Sequence, residues 1–282
     1  MSYVELATIN PRAGRRRLLR KRFLRRPLAV AGLIVAVAFA TLALFANQIA
    51  PYSYQATDFN AILVHQSSKH LLGTDPLGHD IWSQIIFGAR ASMEAGVLST
   101  LLALAVAVPI GLAAGYYRGW IDPVIARLTD VLLAFPFLIL AVGLAAILGA
   151  SLRNAILALG IGAAPGLIRI ARGEALALRE EDYVRAAIAN GARDTTILFR
   201  HILPNMMSTL IVQATVTIPL AIIGEAVLSF LGLGVQLNAA QDYLTEAPRL
   251  AVYPGVAIVI ASLAFNLLGD GLRDVLDPRT QR

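Results

Sequence analysis

The chain has 282 residues, of which 57% are hydrophobic and 15% charged, with a net charge of +6 and a mean hydropathy of +0.67. Soluble domains carry roughly one-quarter charged residues, so this composition excludes a water-soluble globular protein and indicates an integral membrane protein. The absence of cysteine excludes disulfides and thiolate metal or redox sites, and basic charge clustered beside apolar segments argues against nucleic acid as a partner.

In chain order, residues 1–27 are a basic segment holding nine of the 24 Lys and Arg residues, mostly in the run NPRAGRRRLLRKRFLRR. The next segment, Leu28 to Ala46 (LAVAGLIVAVAFATLALFA), is about long enough to cross a hydrocarbon core. A signal peptide has a shorter apolar core, about 7–15 residues, followed by a small-x-small cleavage site, so residues 28–48 read as an uncleaved anchor. Residues 49–90 form a long loop with a turn at Asp75-Pro76-Leu77-Gly78. Ile81, Trp82, Ile85 and Ile86 then fall at amphipathic spacing and predict a short helix against the membrane or the mouth of the bundle. His65, His70 and His79 are irregularly spaced with only Asp75 and Asp80 near them, which predicts solvated loop histidines and no metal site.

Five further spans are expected at about Ser92–Tyr116, Leu128–Leu148, Asn154–Ile170, Met207–Leu233 and Ala251–Leu268. They form a membrane core over 91–272, with a tail at 273–282. An all-α fold of six transmembrane helices follows. With the N-terminus in the cytoplasm, 20 Lys and Arg residues lie inside and only Lys69, Arg90, Arg153 and Arg249 lie outside, as the positive-inside rule requires. Both termini are then cytoplasmic, and the basic N-terminus also meets anionic membrane lipid. Runs such as VPIGLAAGYY and LALGIGAAPG suit close, kinked helix packing. Glu225 alone lies well inside a span, where an acid must line a path or make an interhelical hydrogen bond. The scarcity of paired intramembrane charges counts against an ion-coupled secondary carrier, and no HExxH or GxSxG supports an enzyme.

Between the fourth and fifth spans, residues 174–205 are charged and organised. Glu174 to Arg179 continues the fourth helix, and Asp182 is the expected N-cap of a short helix with Val184, Ala187 and Ile188 on one face. Gly191 fits a left-handed C-terminal cap. Asp194 is the expected cap of a second helix, TTILFRHI, with Ile197, Leu198, His201 and Ile202 as its stripe and Pro204 closing the unit. Ala186, Ala187 and Ala189 are small enough to let another protein approach the backbone. The arrangement predicts a docking module.

The order Ala186-Ala187, Gly191, then His201-Ile202-Leu203-Pro204 resembles the EAA motif of ATP-binding cassette importer permeases, with Arg185 where that motif often has Glu and His201 where it often has Ile. EEDYVRAAIANGARD, FRHILPN, GTDPLGHDIWSQIIFGAR and AFNLLGDGLRDVLDPR resemble the dipeptide, oligopeptide and nickel permeases, second-subunit type, over nearly the whole chain. The resemblance implies a bacterial inner-membrane permease bundle whose coupling helix docks on an ATPase through Tyr183, Arg185, Ala186, Ala187, Asn190, Gly191, Asp194, His201, Leu203 and Pro204. It implies a second homologous permease, two ATPase domains and an extracytoplasmic binding protein or lipoprotein as partners. It also implies peptide as the substrate, with nickel or another small solute as the alternative. No cofactor is expected on this chain: neither Lys21 nor Lys69 sits in a phosphate-binding loop, which leaves ATP and Mg to the partner subunits. His79 and Gln84 stand where relatives often have Arg, and VQLNAAQ after Gly234 is shorter than the loop the resemblance implies.

Overall fold

A computed structural model describes residues 21–233 and 245–276. The described residues are almost entirely helical, with only an isolated bridge between Thr74 and Asp80. The elements are α1 (Pro27–Leu44), α2 (Ala46–Ile49), α3 (Ile81–Tyr117), α4 (Ile121–Leu133), α5 (Phe137–Leu148), α6 (Leu152–Arg179), α7 (Asp182–Ala189), α8 (Asp194–Thr196), a π-helical segment (Ile197–Ile202), α9 (Leu203–Phe230) and α10 (Arg249–Leu276). Five stretches are long and apolar enough to span a bilayer, and α4 with α5 supplies a sixth as a broken pair.

Pro27 opens α1, where a missing N–H costs nothing. The helix turns Ala29, Gly32, Ala36 and Ala43 inward and leaves Leu28, Ile34 and Val37 outward. Small residues inside and large apolar ones outside is the pattern of helices packing in lipid. Asp80 caps α3 by accepting from the Ser83 N–H at 2.8 Å, and Ser151 caps α6 by accepting from the Asn154 N–H at 3.1 Å. At 37 residues, α3 is about 55 Å long, well beyond a hydrocarbon core of about 30 Å.

The most extensive interface runs between α3 and α6. A Cβ on Gly111 would lie 2.9 Å from the Arg172 backbone nitrogen, and one on Gly115 would lie 2.7 Å from the Arg172 carbonyl oxygen. These two glycines set how closely the backbones approach. At one end of α6, Arg172 grips Asp122 through two nitrogens, Arg169 donates to Asp130 at 2.5 Å, and Arg118 donates to Glu180 at 2.5 Å. α9 packs on α3, α6 and α10, and α10 on α1.

Two expected elements differ. The single span over Leu128–Leu148 is two helices bent by 87°, because Pro136 follows Phe135 and disfavours helical backbone there. The short membrane-surface helix from Ile81 is instead the first three turns of α3, continuous with the second span. The loop preceding it folds on itself: Leu77 and His79 donate backbone N–H groups to Asp75 Oδ1, each at 2.8 Å, and the Gly78 N–H reaches the Asp75 carbonyl. His65 is exposed, as expected, but the other two loop histidines are not. His70 is buried with Nδ1 3.0 Å from Asp80 Oδ1, and His79 Nδ1 lies 2.8 Å from Asp75 Oδ2. The loop's own turns bring each ring to a carboxylate, and no cluster of three metal-ligating side chains forms among the described residues. The short VQLNAAQ loop lies outside them.

Candidate functional site

The charged stretch folds as two short helical pieces joined by a tight turn. α7 begins after Glu181, whose backbone is extended, so Glu181 and not Asp182 is the capping position; Asp182 is the first helical residue and its side chain is fully exposed. Gly191 has φ of +75°, the Ala192 N–H donates to the Ala187 carbonyl at 3.0 Å, and the Gly191 N–H donates to the Ile188 carbonyl at 2.9 Å. This paired pattern is the Schellman cap, which needs a left-handed residue at the position Gly191 holds. Asn190 adds a side-chain bond to the Ala186 carbonyl at 2.8 Å.

The second piece departs from expectation. The helix is capped at Arg193 without a side-chain bond, while the Asp194 carboxylate accepts from the Tyr116 hydroxyl at 2.7 Å. Asp194 therefore ties the unit to the end of α3. Ile197 to Ile202 is π-helical, and Pro204 lies in the first turn of α9, so it opens that helix and does not close the unit.

Beneath the unit lies one apolar cluster of Val184, Ile197, Ile202, Met206 and Leu210 with Leu112, Tyr116, Ala171 and Ala175. Ala187, Ala192, Leu198 and Leu203 pack on its margin. The unit thus stands on α3, α6 and α9 at once. Ala187 faces this cluster, so it is not part of the outward surface; Ile188, expected on the same face as Val184 and Ala187, is 45% exposed. The outward face carries Tyr183, Ala186, Ile188, Ala189 and Asn190, with Phe199 67% exposed beside it. The Tyr183 ring lies 6.4 Å from that of His201, and burial together with the Glu181 carboxylate raises the Tyr183 phenol above its ordinary pKa, keeping it a neutral donor. Arg185 folds back, donating twice to the Glu180 carbonyl at 2.9 and 2.7 Å, and so secures the end of α6.

Tyr116, Arg179 and Phe199 were not singled out in the sequence. Arg179 sits 5.6 Å above the Tyr116 ring, giving the joint between α3 and α6 a cation–π contact. Phe199 had a signal: an aromatic residue off the apolar stripe of the second piece.

Glu225 lies apart from this unit, near the far end of α9. It is 4% exposed, accepting from Ser92 Oγ on α3 at 3.0 Å and from Ser229 Oγ at 2.6 Å. It makes an interhelical hydrogen bond, and it also lines a cavity of about 580 Å³.

Comparison with known proteins gives a consistent result. Residues 107–282 match the family described as binding-protein-dependent transport system inner membrane component, and residues 15–67 match the N-terminal transmembrane domain of oligopeptide transport permease C. The chain is similar to the glutathione transport system permease protein GsiD of Pectobacterium atrosepticum, 42% identical with 92% of this chain and 89% of the relative covered. It is also similar to the dipeptide transport system permease protein DppC of Alkalihalophilus pseudofirmus, 41% identical over 92% and 88% of the two chains. GsiD of Escherichia coli is 42% identical over the same shares as its Pectobacterium counterpart.

Proposed function

Because this chain belongs to the family of binding-protein-dependent transport system inner membrane components, we propose that it is one permease subunit of an ATP-driven importer of di- and oligopeptides. The observation that carries the reading is the two-piece unit of residues 182–202, rooted in a buried cluster on three long helices and open on its outer face. The exposed side chains of Tyr183, Ala186, Ile188, Ala189 and Phe199 are largely apolar, which suits contact with an ATPase subunit.

In this reading the chain is not itself an enzyme. It pairs with a second homologous permease, two ATPase domains that hold ATP and Mg, and an extracytoplasmic binding protein or lipoprotein. It lies in the bacterial inner membrane with both termini in the cytoplasm, so the loop before α3 faces the binding protein. Closure of the ATPases displaces the unit, and the helices that share its buried cluster tilt with it, opening the path alternately to each side. Glu225 lines that path on the outer side.

The test is reconstitution of the assembled importer in proteoliposomes. Peptide uptake should require ATP and binding protein, and Ala186→Glu should abolish uptake and ATPase retention while the two permeases stay paired. Uptake driven by an ion gradient without ATP would overturn the reading in favour of a secondary carrier. Uptake of nickel, but not peptide, would overturn the substrate class alone.

A further inference from the structure

The cavity of about 580 Å³ beside Glu225 is within the range of about 300–1,000 Å³ that small-molecule sites occupy. Its walls are largely apolar, with Ile85 and Met93 from α3 and Ile258 from α10 among them, and it is overhung by Tyr54 and His79 of the preceding loop. Burial and the Asp75 carboxylate raise the Tyr54 phenol above its ordinary pKa, so this rim residue stays neutral.

Two carboxylates line this space, and they are not equivalent. All of Asp75 is engaged: Oδ1 accepts from the Leu77 and His79 N–H groups, and Oδ2 from His79 Nδ1 and from Gln84 Nε2 at 2.9 Å. It braces the loop. Glu225 accepts one hydroxyl on each oxygen, and a carboxylate offers about four acceptor sites, so capacity remains on both oxygens. No salt bridge to Glu225 forms among the described residues. A carboxylate that is charged in a buried site needs a matching cation, and Glu225 lines the cavity.

We infer that this cavity binds a small molecule with a primary ammonium group and an apolar body, held by charge pairing between the ammonium and Glu225. An ammonium brings three donors that can rotate to the remaining acceptor sites. The apolar walls receive the body. This inference rests on the permease reading, in which the ammonium is the amino end of a short peptide in transit.

The chain contains no cysteine, so Ala226→Cys places a single reporter on the cavity wall, next to Glu225. The assembled importer, in nanodiscs and without binding protein, is treated with a maleimide in the presence of phenylalanyl-alanine amide or its N-acetyl form. The free amine should slow labelling at a concentration about tenfold below that needed by the acetylated form, as expected for loss of one charge-assisted interaction. Adding Glu225→Gln should erase that difference. Equal protection by both probes, protection by neither, or a preference that survives Glu225→Gln would overturn the inference. Should Glu225→Gln fail to assemble, the comparison of the two probes on the otherwise unaltered site still decides. ATPase retention and ATP-dependent uptake by the unsubstituted importer report separately on the permease reading.

Discussion

Replacing Gly191 separates docking from folding. Its φ is +75°, and an added Cβ would meet nothing within 4 Å, so a substitution is resisted by backbone strain alone. For a residue other than glycine that strain is about 1–2 kcal/mol, smallest for Asn and larger when the side chain is β-branched. Against it stands the burial of Val184, Ile197 and Ile202, each contributing about 1.5–3 kcal/mol. Burial exceeds strain, so Gly191→Val should leave the unit seated on the bundle and distort only the turn. A cost of 1–2 kcal/mol reduces the population of the native turn roughly 5–30-fold. Titration of ATPase onto the purified permease pair should therefore show binding weakened roughly 5–30-fold for Gly191→Val. Permease yield should be normal, and Gly191→Asn should stay close to the unsubstituted chain. Val184→Asp is the contrasting case, since it buries a charge and should lower the yield itself. Equal ATPase affinity for the Val, Asn and unsubstituted forms would refute the claim that this turn sets the docking geometry.

Cysteines placed singly at Ser68 and Asp182, both exposed, should react with an impermeant reagent from opposite sides of the membrane in cells expressing the permease pair alone; reaction from the same side would invalidate the topology. Tyr116→Phe removes the hydroxyl bonded to Asp194, a charge-assisted bond worth about 1.5–3 kcal/mol, and should lower transport per ATP hydrolysed without loss of assembly; unchanged coupling would show that this tie carries no force. Gly115→Leu drives a side chain into the Arg172 carbonyl and should cost at least about 1–3 kcal/mol, seen as a lower thermal midpoint, whereas Gly143→Leu, with open space around it, should be neutral; equal midpoints would contradict the close α3–α6 approach.

The long apolar helices and the left-handed turn at Gly191 were legible because each rests on local chemistry: unbroken hydrophobicity in the first case, a glycine between two short amphipathic stretches in the second. The break at Pro136 was missed because apolar content averaged over a span is blind to direction, although the proline marked the place. Asp194 was read as a cap because caps are local, whereas its partner Tyr116 is 78 residues away in sequence. Two of the three loop histidines were misread for the same reason, since folding, not spacing, brings His70 to Asp80 and His79 to Asp75. Ile188 parted from the face it was expected to share with Val184 and Ala187 because a helix of two turns tolerates a shift of phase that a longer amphipathic helix would not. Family resemblance supplied candidate docking residues but not the direction in which each of them faces.

The pairing of α1 with α10 has a consequence for biogenesis. The first and last long helices of the described chain lie side by side, with Gly32 against the Ala264 carbonyl, Gly271 against Ala29, and Arg26 bonded to Asp274. Within the described chain, α1 is therefore synthesised more than two hundred residues before α10, and in that interval it has α3 and α9 to pack on but not its partner at the seam. A nascent chain halted before Arg249 would leave α1 with its contacts to α3 and without those to α10. The seam is thus the last of the described contacts that can form, and it closes the bundle between the two ends of the described chain.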